Sequence, residues 1–134
     1  MKIVNSSIIY DNPLPQLRTR QAYFPVLCER SDGVIVASYA IGEAFESVDA
    51  KSCVSFSHDG GKTWSAPKVM LDTSVIGRPV CDYTKVTALP DGRIMALGYA
   101  YYRDNPDLPI GNPENGGTLD DLVYYAFSED GGET

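Results

Sequence analysis

One short pattern occurs twice in this chain. Ser57-His58-Asp59-Gly60-Gly61-Lys62-Thr63 returns as Ser128-Glu129-Asp130-Gly131-Gly132-Glu133-Thr134, giving S-x-D-x-G-x-T in both places. A repeated turn implies a repeated structural unit. Such a unit buries its apolar face only against a neighbour, so repetition constrains the fold more than composition does. The first copy continues into Trp64 and the second stops at Thr134, which predicts that the chain is a fragment of a longer array.

The repeat extends beyond the turn. Asp32-Gly33 precedes the first copy and Asp91-Gly92 the second, and the residues around them align at a constant shift of 59. Val26-Leu27-Cys28-Glu29-Arg30-Ser31-Asp32-Gly33-Val34-Ile35-Val36-Ala37 lies over Lys85-Val86-Thr87-Ala88-Leu89-Pro90-Asp91-Gly92-Arg93-Ile94-Met95-Ala96. From Asp59 to Asp130 the shift is 71, so the second copy carries 12 more residues, which fall in the Pro-, Gly- and Asn-rich stretch 103–121.

Each copy reads as short strands. Val34-Ile35-Val36-Ala37-Ser38-Tyr39 and Ile94-Met95-Ala96-Leu97-Gly98-Tyr99 are β-branched, apolar and aromatic, and each follows an Asp-Gly pair suited to a hairpin turn. Ser52-Cys53-Val54-Ser55-Phe56 and Leu122-Val123-Tyr124-Tyr125-Ala126-Phe127 run into the repeated turns, and residues 64–71 leave the first one. That predicts four strands per copy. No helical apolar period is sustained, and nine prolines oppose long helices.

The turn's residue types explain its chemistry. Ser57 and Asp59 carry acceptor oxygens that can bond backbone amides a few residues on, closing a loop with no ladder partner. Gly61 supplies positive φ, and Trp64 supplies a large ring to bury, of order 1.5–3 kcal/mol. The expected role is architectural.

These residues carry a family resemblance. Phe56-Ser57-His58-Asp59-Gly60-Gly61-Lys62-Thr63-Trp64-Ser65 resembles the Asp box, or bacterial neuraminidase repeat, of the sialidase superfamily. The resemblance implies an all-β, sialidase-like β-propeller, with about two four-stranded antiparallel blades present of an expected six. It divides residues 1–134, a single partial domain, into three parts. Residues 1–12 are the strand that closes the last blade, 20–72 the first blade, and 78–134 an incomplete second blade. It also implies a sialidase-like, exo-acting glycoside hydrolase, with exo-α-sialidase as one form of it, that is inactive as a fragment. The alternative is a non-catalytic propeller that binds glycan or protein.

Propeller connectivity puts the Asp-Gly turns and the boxes at one end. The other end collects the longer polar connections: 41–50, 103–121, the approach 18–23 and the crossing 77–79. Function concentrates on such loops. Family members use an Asp acid/base on the second-to-third connection, and Asp49 stands there, with Glu43 and Glu46 nearby. They also use arginines that pair bidentately with a substrate carboxylate. Arg20 and Arg78 are the candidates, with Tyr23 as a further substrate contact. Where the family has Arg-Ile-Pro this chain has Tyr23-Phe24-Pro25, so the first arginine has no counterpart. Tyr99, Tyr101, Tyr102, Tyr124 and Tyr125 are expected in strand packing, although a tyrosine near the channel mouth can stack on a pyranose ring.

Composition narrows the partners. With 18 acidic and 11 basic residues the formal charge is −7, which disfavours nucleic acid and anionic membranes. A carbohydrate substrate is expected, together with missing blades in cis or self-association through exposed blade faces. Cys28, Cys53 and Cys81 lack metal-ligand spacing and are expected as free thiols, and His58 as an exposed turn residue. No metal and no cofactor are expected. No secretory leader is visible after Met1, which makes a cytoplasmic location the expectation.

Overall fold

Seven strands and one 3-10 turn carry the described residues, and their bounds reproduce the repeat. The structure, a computed structural model, describes residues 2, 3 and 5–134. The strands are β1 (Gln21–Glu29), β2 (Ile35–Gly42), β3 (Lys51–Ser57), β4 (Lys68–Val69), β5 (Val80–Ala88), β6 (Ile94–Tyr102) and β7 (Asp121–Ser128). β5 and β6 begin 59 residues after β1 and β2, and β7 ends 71 residues after β3. All pairings are antiparallel. The first sheet has the order β1-β2-β3-β4 and the second β5-β6-β7.

The Asp-Gly pairs join strands as expected, in a form set by one residue each. Gly33 (φ 83°) and Gly92 (φ 90°) occupy the left-handed region, whereas their aspartates do not. Arg30 N donates to Val34 O at 2.9 Å and Gly33 N to Arg30 O at 2.9 Å. Leu89 and Gly92 repeat this at 2.8 and 3.0 Å. A two-residue type I′ turn needs positive φ at both residues, so these hairpins are the longer kind with a left-handed glycine.

The repeated loops match bond for bond. In the first, Ser57 Oγ donates to Asp59 Oδ1 (2.8 Å) and accepts from Gly61 N (2.8 Å). Asp59 Oδ1 also accepts from Lys62 N (3.0 Å) and Thr63 N (2.9 Å), and Oδ2 accepts from Thr63 Oγ1 (2.6 Å). In the second, the same atoms of Ser128, Asp130, Gly132, Glu133 and Thr134 make the same five bonds at 2.6–2.9 Å. Both glycines of each loop have positive φ. The Thr63 hydroxyl and N–H hold the Asp59 carboxyl far below the usual range, and the Ser128 and Thr134 hydroxyls do so for Asp130.

Two expectations are revised. The fourth strand is not the whole of 64–71 but only Lys68–Val69, paired with Val54 and Cys53. Pro67 has no N–H to give, and Ser65 is already tied to Phe56 through N–H to O (2.9 Å) and through its Oγ, which accepts from Phe56 N (3.0 Å). Trp64 is half-buried rather than enclosed. It packs on the Ala37, Tyr39, Ile41 and Cys53 cluster, and its Nε1 donates to Ser7 Oγ at 3.1 Å. Within 1–12, Met1 and Val4 lie outside the described residues. The rest pairs with neither sheet, and Ile9 and Tyr10 cover the same cluster.

The core lies between the sheets. Val34, Val36, Val54 and Phe56 of the first meet Val86, Ile94 and Ala96 of the second. At one end Arg30 donates to the Gly131 carbonyl (3.3 Å), and Gly132 lies against Phe56, where a Cβ would stand 3.3 Å from the ring. Nearer the other end the sheets are tied by polar groups. Asp82, 1% exposed, accepts from Ser52 N at 2.9 Å, and Asp82 N donates to Ala50 O at 3.2 Å. Lys51 Nζ donates to Val80 O at 2.8 Å and stands 3.8 Å from Asp82 Oδ1. Cys53 and Cys81 are buried, Cys28 is half-buried, and all three are free. Among the described residues no helix is long and apolar enough to cross a membrane.

Asp82→Asn removes the charged acceptor for Ser52 N–H and the counter-charge for Lys51. It is expected to destabilise the chain by about 1.5–3 kcal/mol, read as a lower urea midpoint with an unchanged slope. For the loops the sign follows from depressed carboxyl values. Their contribution is complete above the unfolded carboxylate range, about 3.9, and is lost as the pH falls toward the lower folded values. Urea midpoints of the parent are therefore expected to be level near neutrality and to fall in strong acid. In the Asp59→Asn/Asp130→Asn double variant the midpoint is expected to be lower at pH 7 and flatter toward acid.

Candidate functional site

Antiparallel order sorts the connections into two ends. The hairpins at 30–34 and 89–93 and the twin loops share one end. Residues 43–50, 103–120 and the crossing 70–79 share the other, together with the approach to β1. The long connection 103–120 contains the residues the second copy has gained, and it is closed by a bridge between Gly111 and Thr118.

Connection 43–50 folds back tightly over the end of β2. Gly42 makes this possible, since a Cβ there would meet Ser47 Oγ at 2.5 Å and Ala50 at 3.2 Å. Asp49 organises the loop: its Oδ1 accepts from Ser47 Oγ (2.6 Å) and Glu43 N (3.0 Å). Its Oδ2 accepts from Arg20 Nη1 at 2.7 Å, so the structure brings together the expected acid/base and one expected substrate contact. Burial pushes the Asp49 carboxyl up. The Ser47 hydroxyl, the Glu43 N–H and the Arg20 guanidinium outweigh it and hold Asp49 below the usual carboxylate range. Arg18 pairs with Glu43 at 3.3 Å beside it.

Tyr23 is also at this end, half-buried, with its hydroxyl donating to Gln21 Oε1 at 3.3 Å. Arg78 makes different contacts at this end. It pairs with Asp104 and lies 3.8 Å over the Tyr102 ring, tying the crossing to connection 103–120.

A group of aromatic residues lies beside this pair; the sequence analysis named Tyr23, Tyr99 and Tyr101 among them, but not their grouping with Phe24, Phe45 and Tyr83. β1 bulges where Phe24 and Pro25 stand opposite Tyr39, between the pairs Tyr23 with Ala40 and Val26 with Ser38. Phe24 has φ 55°, a conformation disfavoured for a bulky residue and again for one preceding proline, costing of order 1–3 kcal/mol. The bulge sends its ring to Phe45 (5.4 Å) and, edge-on, to Tyr83 (5.4 Å). The chain of rings continues from Tyr83 to Tyr99 (5.5 Å) and from Tyr99 to Tyr101 (5.5 Å), while Tyr23 meets Phe45 at 5.7 Å. Glu46, on the same loop as Phe45, is the other non-glycine residue with positive φ (58°) among the described residues. The Tyr23-Phe24-Pro25 step marked the place of the bulge.

No family model and no curated protein matches this chain. Solved structures do, among them the following two. A protein of unknown function from Dyadobacter fermentans DSM 18053 is 21% identical with a TM-score of 0.68, over 95% of this chain and 36% of its own. A Hadza microbial sialidase is 18% identical with a TM-score of 0.64, over 84% of this chain and 24% of its own. The likeness is one of fold: all-β, built from antiparallel sheets. The chain spans about a third and about a quarter of those two lengths.

Arg20→Met removes one of the groups that keep Asp49 ionised. The midpoint of Asp49, followed by carboxyl carbon NMR, is expected to rise, while Ser47 and Glu43 keep it from reaching a buried acid's value. No change would dissociate Arg20 from Asp49.

Proposed function

We propose that the chain is part of a sialidase-type glycoside hydrolase, that its two sheets are neighbouring blades of a six-bladed β-propeller, and that the end carrying Asp49 faces the substrate. The observation that carries this reading is the Arg20–Asp49 pair. It lies on the second-to-third connection of the first sheet, at the end opposite the twin loops. The fold likeness to a sialidase supports the same assignment, as do the matching S-x-D-x-G-x-T loops, which read as Asp boxes at equivalent blade corners.

In this reading the substrate is an exo-cleaved glycoside. Residues 1–12 supply the outer strand of the closing blade, and further blades in cis bring the nucleophile. Asp49 acts as the acid/base. With Arg20 in place it is a carboxylate, the form that deprotonates an attacking water. Donating a proton to the leaving group requires the Arg20 contact to open, because the guanidinium favours the charged form. Arg78 serves the connection between sheets rather than the substrate. A glycan-binding propeller without turnover is the second reading, favoured by the same ion pair, since a permanently closed pair leaves Asp49 unable to donate.

Asp49→Ala, made within the complete reading frame, is expected to lower turnover of nitrophenyl glycosides by about 10²- to 10⁴-fold, with the far-ultraviolet dichroism of the sheets unchanged. Unaltered turnover removes Asp49 from the chemistry. Glycan binding without turnover in the parent selects the second reading.

A further inference from the structure

We infer that Asn115 is a site of spontaneous covalent change: its side-chain amide is lost by ring closure onto the next main-chain nitrogen, leaving an aspartyl or isoaspartyl residue in connection 103–120.

Of the five asparagines in the chain, Asn12, Asn105 and Asn112 precede proline and Asn5 precedes serine. Proline has no N–H to give up, so its nitrogen cannot close on the side chain before it. A Cβ on the following residue crowds the approach. Only Asn115 precedes glycine. Gly116 stands at φ 70°, and a Cβ built there would meet nothing within 4 Å beyond its chain neighbours. Residues 111–118 are all exposed to water.

The turn also arranges the reacting groups. Asn115 Oδ1 accepts from Gly117 N at 2.9 Å. That oxygen gains negative charge when Cγ is attacked, and an N–H already bonded to it stabilises the charge. The nitrogen that must leave, Asn115 Nδ2, has no hydrogen-bond partner among the described residues, whereas Asn12 Nδ2 is held by Arg18 O at 2.6 Å. One contact opposes the reaction. Gly116 N donates to Asn112 O at 2.8 Å, and this bond must open before the nitrogen can turn to Cγ. It belongs to an exposed turn held by Asn112 N to Gly117 O (2.8 Å) and the isolated Gly111–Thr118 bridge, an element that opens locally at little cost.

The step balances with water alone. Hydroxide removes the Gly116 amide proton, the nitrogen lone pair forms a bond to Asn115 Cγ, and the Cγ–Nδ2 bond breaks. Ammonia leaves, taking its third proton from water. Water then opens the five-membered imide. Opening at Cγ leaves an aspartyl residue. Opening at the main-chain carbonyl leaves the chain running through Cβ and Cγ, an isoaspartyl residue with one extra carbon in its path. Either product adds a carboxylate, and the second also lengthens the turn against its Asn112–Gly117 bond. The change lies beside the candidate site, because Ile110 and Leu119, which flank the turn, pack in the cluster that contains Ala50, the residue after Asp49.

Peptide mapping by mass spectrometry, on the full chain incubated at pH 6 and at pH 8.5, tests this. Amide loss is expected at Asn115 ahead of Asn5, faster at the higher pH because hydroxide takes the proton, and giving two separable products of equal mass. The folded chain should convert more slowly than a synthetic peptide of residues 108–121, since the Gly116 bond must first open. Asn115→Gln should keep its amide, because closure there needs a six-membered ring, and Gly116→Ala should slow the loss, both with unchanged sheet dichroism. A wholly intact Asn115 in the folded chain after the peptide has fully converted would overturn the inference. So would amide loss at Asn5 before Asn115, or undiminished conversion in Gly116→Ala.

Discussion

A loop with no ladder partner has to satisfy its backbone donors locally, and in this chain one carboxylate in each copy does most of that work. Asp59 and Asp130 each collect two backbone N–H groups and two hydroxyls. The serine that opens each loop takes a third N–H. Fixing the loop fixes the exit direction of the strand before it, and fixes what can lie against the neighbouring sheet. The second loop shows the consequence: Arg30 reaches its Gly131 carbonyl, and Gly132 leaves room for Phe56. The motif therefore closes a turn and also docks one sheet on the next. The opposite end, relieved of that duty, can carry longer and more varied connections.

The fold was legible because its signals are local. Asp32-Gly33 and Asp91-Gly92 marked hairpins, the β-branched runs marked β2 and β6, and the register of 59 and then 71 residues passed unchanged into strand bounds. What the sequence left open depends on partners distant in the chain. Residues 64–67 have strand-like composition but do not pair, because Pro67 lacks a donor and Ser65 is already engaged with Phe56. Asp82 reads as an ordinary charged residue within a strand. Only the structure shows it accepting from Ser52 N–H across the sheets.

The site was legible to a lesser degree, for the same reason. Connectivity alone put Asp49 at the loop-bearing end, and Arg20 was named from its position near β1. Their contact at 2.7 Å needed coordinates. The same reasoning grouped Arg78 with them; it lies at the same end, paired with Asp104 and stacked on the Tyr102 ring. Tyr23, Tyr99 and Tyr101 were named from the sequence, but their grouping with Phe24, Phe45 and Tyr83 was not, since the members come from β1, connection 43–50, β5 and β6. The Tyr23-Phe24-Pro25 departure pointed to the place without giving the geometry.

The Phe24 bulge and the Arg20–Asp49 pair belong to one arrangement. In a regular β1 the alternation would carry past Tyr23 without interruption. Inserting Phe24 and Pro25 opposite the single residue Tyr39 shifts the register by one, so the residues before the bulge, Arg20 among them, are set independently of the residues after it. The bulge thus does two things at a cost of a few kcal/mol at most: it turns an aromatic ring toward Phe45 and Tyr83, and it lets the approach to β1 meet connection 43–50. A guanidinium committed to a loop carboxylate cannot also serve as a free fork for a substrate anion. The geometry that keeps Asp49 ionised is therefore also the geometry that withholds Arg20 from any other anion.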